Sequence, residues 1–271
     1  MNELQRLLAS LDGDVFDLSR PYVIGMPQSP NHPRYWHSLP RRHGDMVRAD
    51  GGSAANDLIV MGTHVGTHID ALAHVSHDGV LHGGRDAAAA QVGGRFEESG
   101  VHTVAPFIGR GVLLDIPAAR GVDALPAGEE VTAADVADAE ASLPAPIRQG
   151  DGVLIRTGWG ANWEAGDAYL GKESGVPGPG PEAAGLLASK RPAFIGSDSI
   201  AFEHLPPGGG HAVLPVHRIL LVEHGINIVE TLALEELAAA GHREFLLVLV
   251  PLPLVGATGS PVRPLAIVPR P

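Results

Sequence analysis

The chain of 271 residues reads as an α/β protein, a single domain built on a mixed sheet. Two observations predict it. Short aliphatic runs recur between turn residues, in a chain with 35 glycines and 23 prolines. A few segments between them carry helix start and stop signals.

Leu4, Leu7, Leu8 and Leu11 fall on one helical face, so residues 2–11 pattern as an amphipathic helix. Residues 1–15 then form an N-terminal helical arm ahead of a domain over 16–271. The run Met26-Pro27-Gln28-Ser29-Pro30-Asn31-His32-Pro33 must be extended, because each proline fixes its own φ and restricts the residue before it. It ends at Tyr35-Trp36. A loop tryptophan is either a pocket wall or a core anchor, and Trp36 is retained as a substrate-contact candidate.

Further along, Arg110 to Asp115 reads as a buried strand. Thr132 and Asp135 mark a helix start, with the helix running to Leu143 and stopped by Pro144 and Pro146. Val153 to Thr157 is a strand leading into a glycine-bearing loop with Trp159 and Trp163. Trp159 either covers an apolar substrate or anchors that loop on the core. Pro181 opens a helix over 182–190, and 193–200 is a strand followed by Phe202 and His204. Pro215 starts a helix that Gly225 stops, and 226–230 is a strand delivering Glu230. A helix over 231–240 and strands over 245–250 and 265–268 complete the core.

Composition excludes several classes. A net charge of −12 repels nucleic acid and anionic membranes, and the one basic cluster, Arg41-Arg42-His43, reads as a solvated turn. The first residues lack a basic start and a long apolar run, and the most apolar segment, 245–255, is too short to span a bilayer. A cytoplasmic protein is the expectation. With no cysteine, a metal must be held by nitrogen and oxygen. Residues 166–172 match a phosphate-binding loop only superficially, since Glu173 replaces the hydroxyl, and no Gly-x-Ser-x-Gly elbow supplies a serine nucleophile.

The chemistry concentrates in Met61 to His82, where five histidines and two aspartates share 22 positions. Thr63, Val65, Thr67 and Ile69 are β-branched, and Gly62 and Gly66 interrupt them, which argues for a strand. With a period of two, His64, His68 and Asp70 line one face, and Gly66 leaves room between the imidazoles for an ion. Two imidazoles and a carboxylate suit Zn²⁺ or Mn²⁺, with positions left for water and substrate.

The run His64-Val-Gly-Thr-His68-Ile-Asp70-Ala-Leu-Ala-His74 resembles the His-x-Gly-Thr-His-x-Asp-x-x-x-His signature of the cyclase family of metal-dependent hydrolases, which includes kynurenine formamidases and isatin hydrolases. The likeness runs from Asp17-Leu18-Ser19 to about Glu230. It implies a swivelling β/β/α arrangement around a barrel-like sheet, a homodimer or homotetramer, His64, His68 and Asp70 as metal ligands, and His74 as catalytic acid/base. It also implies that His217 and Glu230 serve either as ligands of a second ion or as hydrogen-bond partners of His64 or His68. Only through this resemblance do Phe202 and His204 become candidates at the site. One departure stands out: the formamidases carry proline where this chain has Leu72.

An ion of this kind brings the pKa of bound water to about 7, and His74 can carry a proton to the leaving group. The expected activity is hydrolysis of a non-peptide amide or cyclic amide of a small aromatic or heterocyclic substrate. A lactone hydrolase with the same site, or a metal-dependent lyase or dehydratase, is the alternative.

Overall fold

The computed structural model describes residues 13–270, so the helix expected at 2–11 lies outside the described residues. Residues 13–15, grouped above with that arm, belong instead to strand β1, Gly13–Asp17. The core is one nine-stranded mixed sheet, curled into a half-barrel. Its strands are β1, β4 (His68–Asp70), β5 (Phe107–Asp115), β6 (Gly152–Arg156), β7 (Phe194–Ser197), β8 (Asn227–Glu230), β9 (Glu244–Leu249), β10 (Gly259–Pro261) and β11 (Leu265–Pro269). A separate hairpin pairs β2, Trp36–Arg41, with β3, Asn56–Val60.

The sheet order is β1-β11-β9-β5-β6-β7-β8-β4-β10. Strands β5 to β8 run parallel, and antiparallel strands flank them on both sides. Period-two alternation divides the core. Val112, Leu114, Val153, Ile155 and Ile195 meet helices on one face, while Leu113, Leu154 and Phe194 face the other.

Helix α1, Ala133–Ala141, starts with the expected capping box, Thr132 and Asp135 each bonding the other's backbone N–H. Helix α2 is Pro181–Ser189. Helix α3, Pro215–His217, continues as a π-helix over Arg218–His224 and ends at Gly225 with φ +66°. The last expected helix is shorter than 231–240, spanning only Glu235–Ala239 (α4), because Thr231 turns left-handed at φ +61° as the chain leaves β8.

The strand expected from His64 to Asp70 is also shorter. Only His68–Asp70 is extended; Gly66 turns left-handed at φ +65°. The space that Gly66 opens is filled by Tyr22, whose ring carbons lie 2.8 Å from where a Cβ would stand, so it makes room for a ring and not for an ion.

Candidate metal centre

Strand β4 is only three residues long, yet it is enclosed between β8 and β10. The register places Glu230 opposite His68 on one side and Gly259 opposite Asp70 on the other. His64 reaches the same place from the preceding bend, and His217 comes from the start of α3. All five side chains are buried.

Their donor atoms converge. His64 Nδ1 lies 2.6 Å from Asp70 Oδ1, and His68 Nε2 is 3.4 Å from the same oxygen. His68 Nε2 is also 3.6 Å from Glu230 Oε2, and His217 Nε2 is 3.1 Å from Glu230 Oε1. Asp70 Oδ2, 3.7 Å from His217 Nε2, is buried with no hydrogen-bond partner among the described residues. Two groups here have the spacing of a metal site, His64, Asp70 and His74 on one side and Asp70, His217 and Glu230 on the other. Asp70 belongs to both.

The outer nitrogens are fixed. His68 Nδ1 is 2.8 Å from the carbonyl of Gly66, and His217 Nδ1 is 2.6 Å from Glu203 Oε1. Each ring donates there and turns Nε2 inward. His64 Nε2 meets Thr258 Oγ1 at 2.8 Å, which leaves Nδ1 for the interior. Imidazoles held this way, through the ring nitrogen that faces outward, are what a metal site requires.

The electrostatics agree. Asp70, Glu203 and Glu230 are buried with no lysine or arginine paired to them among the described residues. Buried carboxylates demand a cation. Burial lowers the pKa of His217, but the carboxylates of Glu203 and Glu230 override it and raise it to about 10. Burial likewise opposes charge on His68, which Asp70 and Glu230 raise to about 9. The same carboxylates that draw protons onto these rings suit a divalent ion. The donor set, all nitrogen and oxygen, fits one.

His74 stands apart. Its ring stacks on His64 at 3.8 Å with neither nitrogen hydrogen-bonded among the described residues, and burial lowers its pKa to about 3, so the ring is neutral. It opens on a cleft of about 230 Å³, bordered also by Ser29, Asn31, His32, Ile200, His211 and Leu214.

The three aromatic candidates lie elsewhere. Phe202 is fully buried and packs in the core. Trp159 is 8% exposed, and its indole N–H donates to the carbonyl of Tyr169 at 2.8 Å, so it anchors its segment. Trp36 is 56% exposed on the β2–β3 hairpin and borders a neighbouring groove that meets the cleft at His32. His204 bonds the carbonyl of Gly128 and is not among the residues bordering the cleft.

Sequence reasoning passed over Glu203, Thr258, His32 and His211. Glu203 sits between two residues that it did select, and its role follows from the turn at Phe202, a non-glycine residue at φ +58°. Thr258 is 194 positions from His64 and leaves no local signal.

Residues 16–204 match the family described as "Putative cyclase". The chain belongs to that family. An isatin hydrolase of Roseibium aggregatum is 29% identical over 228 residues, 82% of this chain and 78% of that one. A solved structure described as a novel cyclase is 30% identical, covers 98% of this chain and 93% of its own, and superposes with a TM-score of 0.83. The structure of an isatin hydrolase bound to the product analogue thioisatinate is 26% identical over the full length of both chains, with a TM-score of 0.72. The relatives named for an activity are hydrolases, which supports a metal-dependent hydrolase here. Among the described residues no helix is long and apolar enough to cross a membrane.

Proposed function

We propose that the protein hydrolyses a C–N bond in a small non-peptide amide or cyclic amide. His64, His68 and Asp70 hold one divalent ion, Zn²⁺ or Mn²⁺, and Asp70, His217 and Glu230 offer the place for a second. The observation that carries this reading is the convergence of four buried side chains, His64, His68, His217 and Glu230, on Asp70, one of whose oxygens is unpartnered, beside the unbonded imidazole of His74. The name of the relative in Roseibium aggregatum supports the C–N bond.

When bound, the metal supplies Lewis acidity to the carbonyl and acidity to the attacking water. The chain's own groups do the rest. His68 and His217 donate their outward N–H to Gly66 and Glu203, which aims Nε2 at the ion; the proton that the carboxylates otherwise hold there gives way when an ion binds. His74, unbonded and facing the cleft, accepts the proton of the attacking water as the C–O bond forms. As the C–N bond breaks, His74 returns that proton to the departing nitrogen. The products are a carboxylate and an amine, or one ring-opened amino acid.

His74→Ala tests the assignment. Turnover is expected to fall by about 10²–10⁴-fold with metal content unchanged. Full turnover in that variant would refute the acid/base role.

A second copy of the chain is the proposed partner of the β2–β3 hairpin. All five residues of β3 are exposed, with Leu58 53%, Ile59 57% and Val60 51% accessible, an apolar ribbon that a lone hairpin does not sustain in water. Ile59→Lys is expected to shift a homo-oligomer toward monomer in light scattering.

A further inference from the structure

Six imidazoles border the cleft, and hydrogen bonding divides them into two groups. His64, His68 and His217 are held by Thr258, by the Gly66 carbonyl and by Glu203. His32, His74 and His211 have ring nitrogens without a partner among the described residues. The first group is oriented as metal ligands are. In the second, His74 already has a role, which leaves two half-buried imidazoles that face the cleft with their hydrogen-bonding capacity unspent.

They arrive on separate loops. His32 lies one residue before the end of the proline-rich stretch, its ring 5.4 Å from that of His64 and 6.4 Å from that of His74. His211 follows the glycine run 208–210 and borders the same cleft next to His217 and Glu230. Ser29 and Asn31 add two more polar side chains on the His32 side.

We infer that His32 and His211 form a polar subsite beside the reacting carbonyl, and that it selects compact substrates whose neighbouring substituent is a carbonyl or carboxylate in preference to an aromatic ring. The inference rests on the amide-hydrolase reading above and names its substrate class.

Three features carry it. A neutral imidazole offers one N–H donor and one acceptor, so the pair recognises polar groups. A substrate without such groups leaves these nitrogens unpaired, which penalises it; sites built to hydrogen-bond a ligand discriminate more sharply than apolar pockets do. No phenylalanine, tyrosine or tryptophan borders the cleft, whose volume of about 230 Å³ lies below the range of about 300–1,000 Å³ that drug-sized ligands fill. His32 is also the wall shared with the adjoining groove of about 410 Å³, where Tyr35, Trp36, Arg34 and Lys172 lie.

The test uses the metal-loaded full chain and two matched pairs of amides. N-formylglycine is compared with formanilide, and hydantoin with oxindole, a benzo-fused lactam without a second carbonyl. The wild type is expected to show a kcat/KM at least about ten-fold higher on the polar member of each pair. In His211→Leu and His32→Leu the loss on the polar member exceeds that on the aromatic member by about ten-fold or more. His32→Ala opens the wall and raises kcat/KM on formanilide, a gain that a merely structural role would not produce. Preference of the wild type for the aromatic members, or equal losses on both members in the variants, would overturn the subsite while leaving the hydrolase reading intact. Absence of turnover on all four amides would overturn the hydrolase reading. A binding measurement covers that case without needing turnover: by calorimetry oxamate binds more tightly than benzoate, and His32→Leu with His211→Leu removes the difference. Benzoate binding as tightly as oxamate in the wild type would overturn the subsite.

Discussion

His217 and Glu203 are locked together at 2.6 Å between Nδ1 and Oε1, and the same carboxylate accepts the backbone N–H groups of Val216 and His217 at the start of α3. One carboxylate therefore fixes both the ring and the backbone that carries it. Glu203→Gln keeps the volume but removes the charge that orients the imidazole. Metal affinity is expected to fall by about 10–100-fold, measured by competition against a chromogenic chelator, with the circular dichroism spectrum unchanged. Unaltered affinity would show that His217 needs no such partner.

Gly259 makes a second prediction. A Cβ at that position would stand 2.5 Å from His64 Cε1 and 2.9 Å from His64 Nδ1. Because β10 pairs with β4 there, the backbone has little freedom to retreat. Gly259→Ala should displace His64 and weaken binding of the ion by about ten-fold or more, while the sheet still forms. The same spectrum with normal metal content would contradict this placement of His64.

Much of this architecture was legible in the sequence, because local rules decide it. The strands at 107–115, 152–156 and 244–249 follow aliphatic runs, and α1 and α2 begin where Thr132 and Pro181 predict. The spacing His64, His68, Asp70 singled out three side chains that the fold brings together, even though the conformation expected for them was only half right. Gly66 enters a left-handed bend, and Tyr22, 44 positions away, takes the space it leaves. What stayed hidden is set by long-range packing. Glu203, Thr258 and Gly259 act on residues between 14 and 195 positions away, and no local pattern reports such contacts. The aromatic candidates misled for a related reason. Phe202 directly follows two residues that border the cleft, and Trp159 stands in a glycine-bearing loop, but burial of their rings in the core decides where they point.

Asp135 couples stability to pH. The guanidinium of Arg120, bonded to it at 2.6 Å, and the Thr132 cap hold its carboxyl well below the usual carboxylate range, against a smaller effect of burial. The folded pKa lies below the unfolded value of about 3.9, so this stabilisation is fully present above that value and is lost as the pH falls through it toward the folded pKa. Asp135→Asn should cost about 1 kcal/mol near neutrality, given the partial exposure of the pair, and the gap from wild type should narrow below about pH 4 and close only as the pH approaches the folded pKa. Urea denaturation at about pH 7 and at about pH 1.5 checks it; an equal gap at both would remove the charge from the account.

The metal centre itself is tested most directly by metal content per chain. Protein stripped with a chelator is reloaded separately with Zn²⁺ and with Mn²⁺ and read by elemental mass spectrometry. The account predicts about two ions per chain, falling to about one in His217→Ala and to none held tightly in Asp70→Ala, because Asp70 belongs to both groups of donors. A wild-type protein that retains neither ion would contradict it.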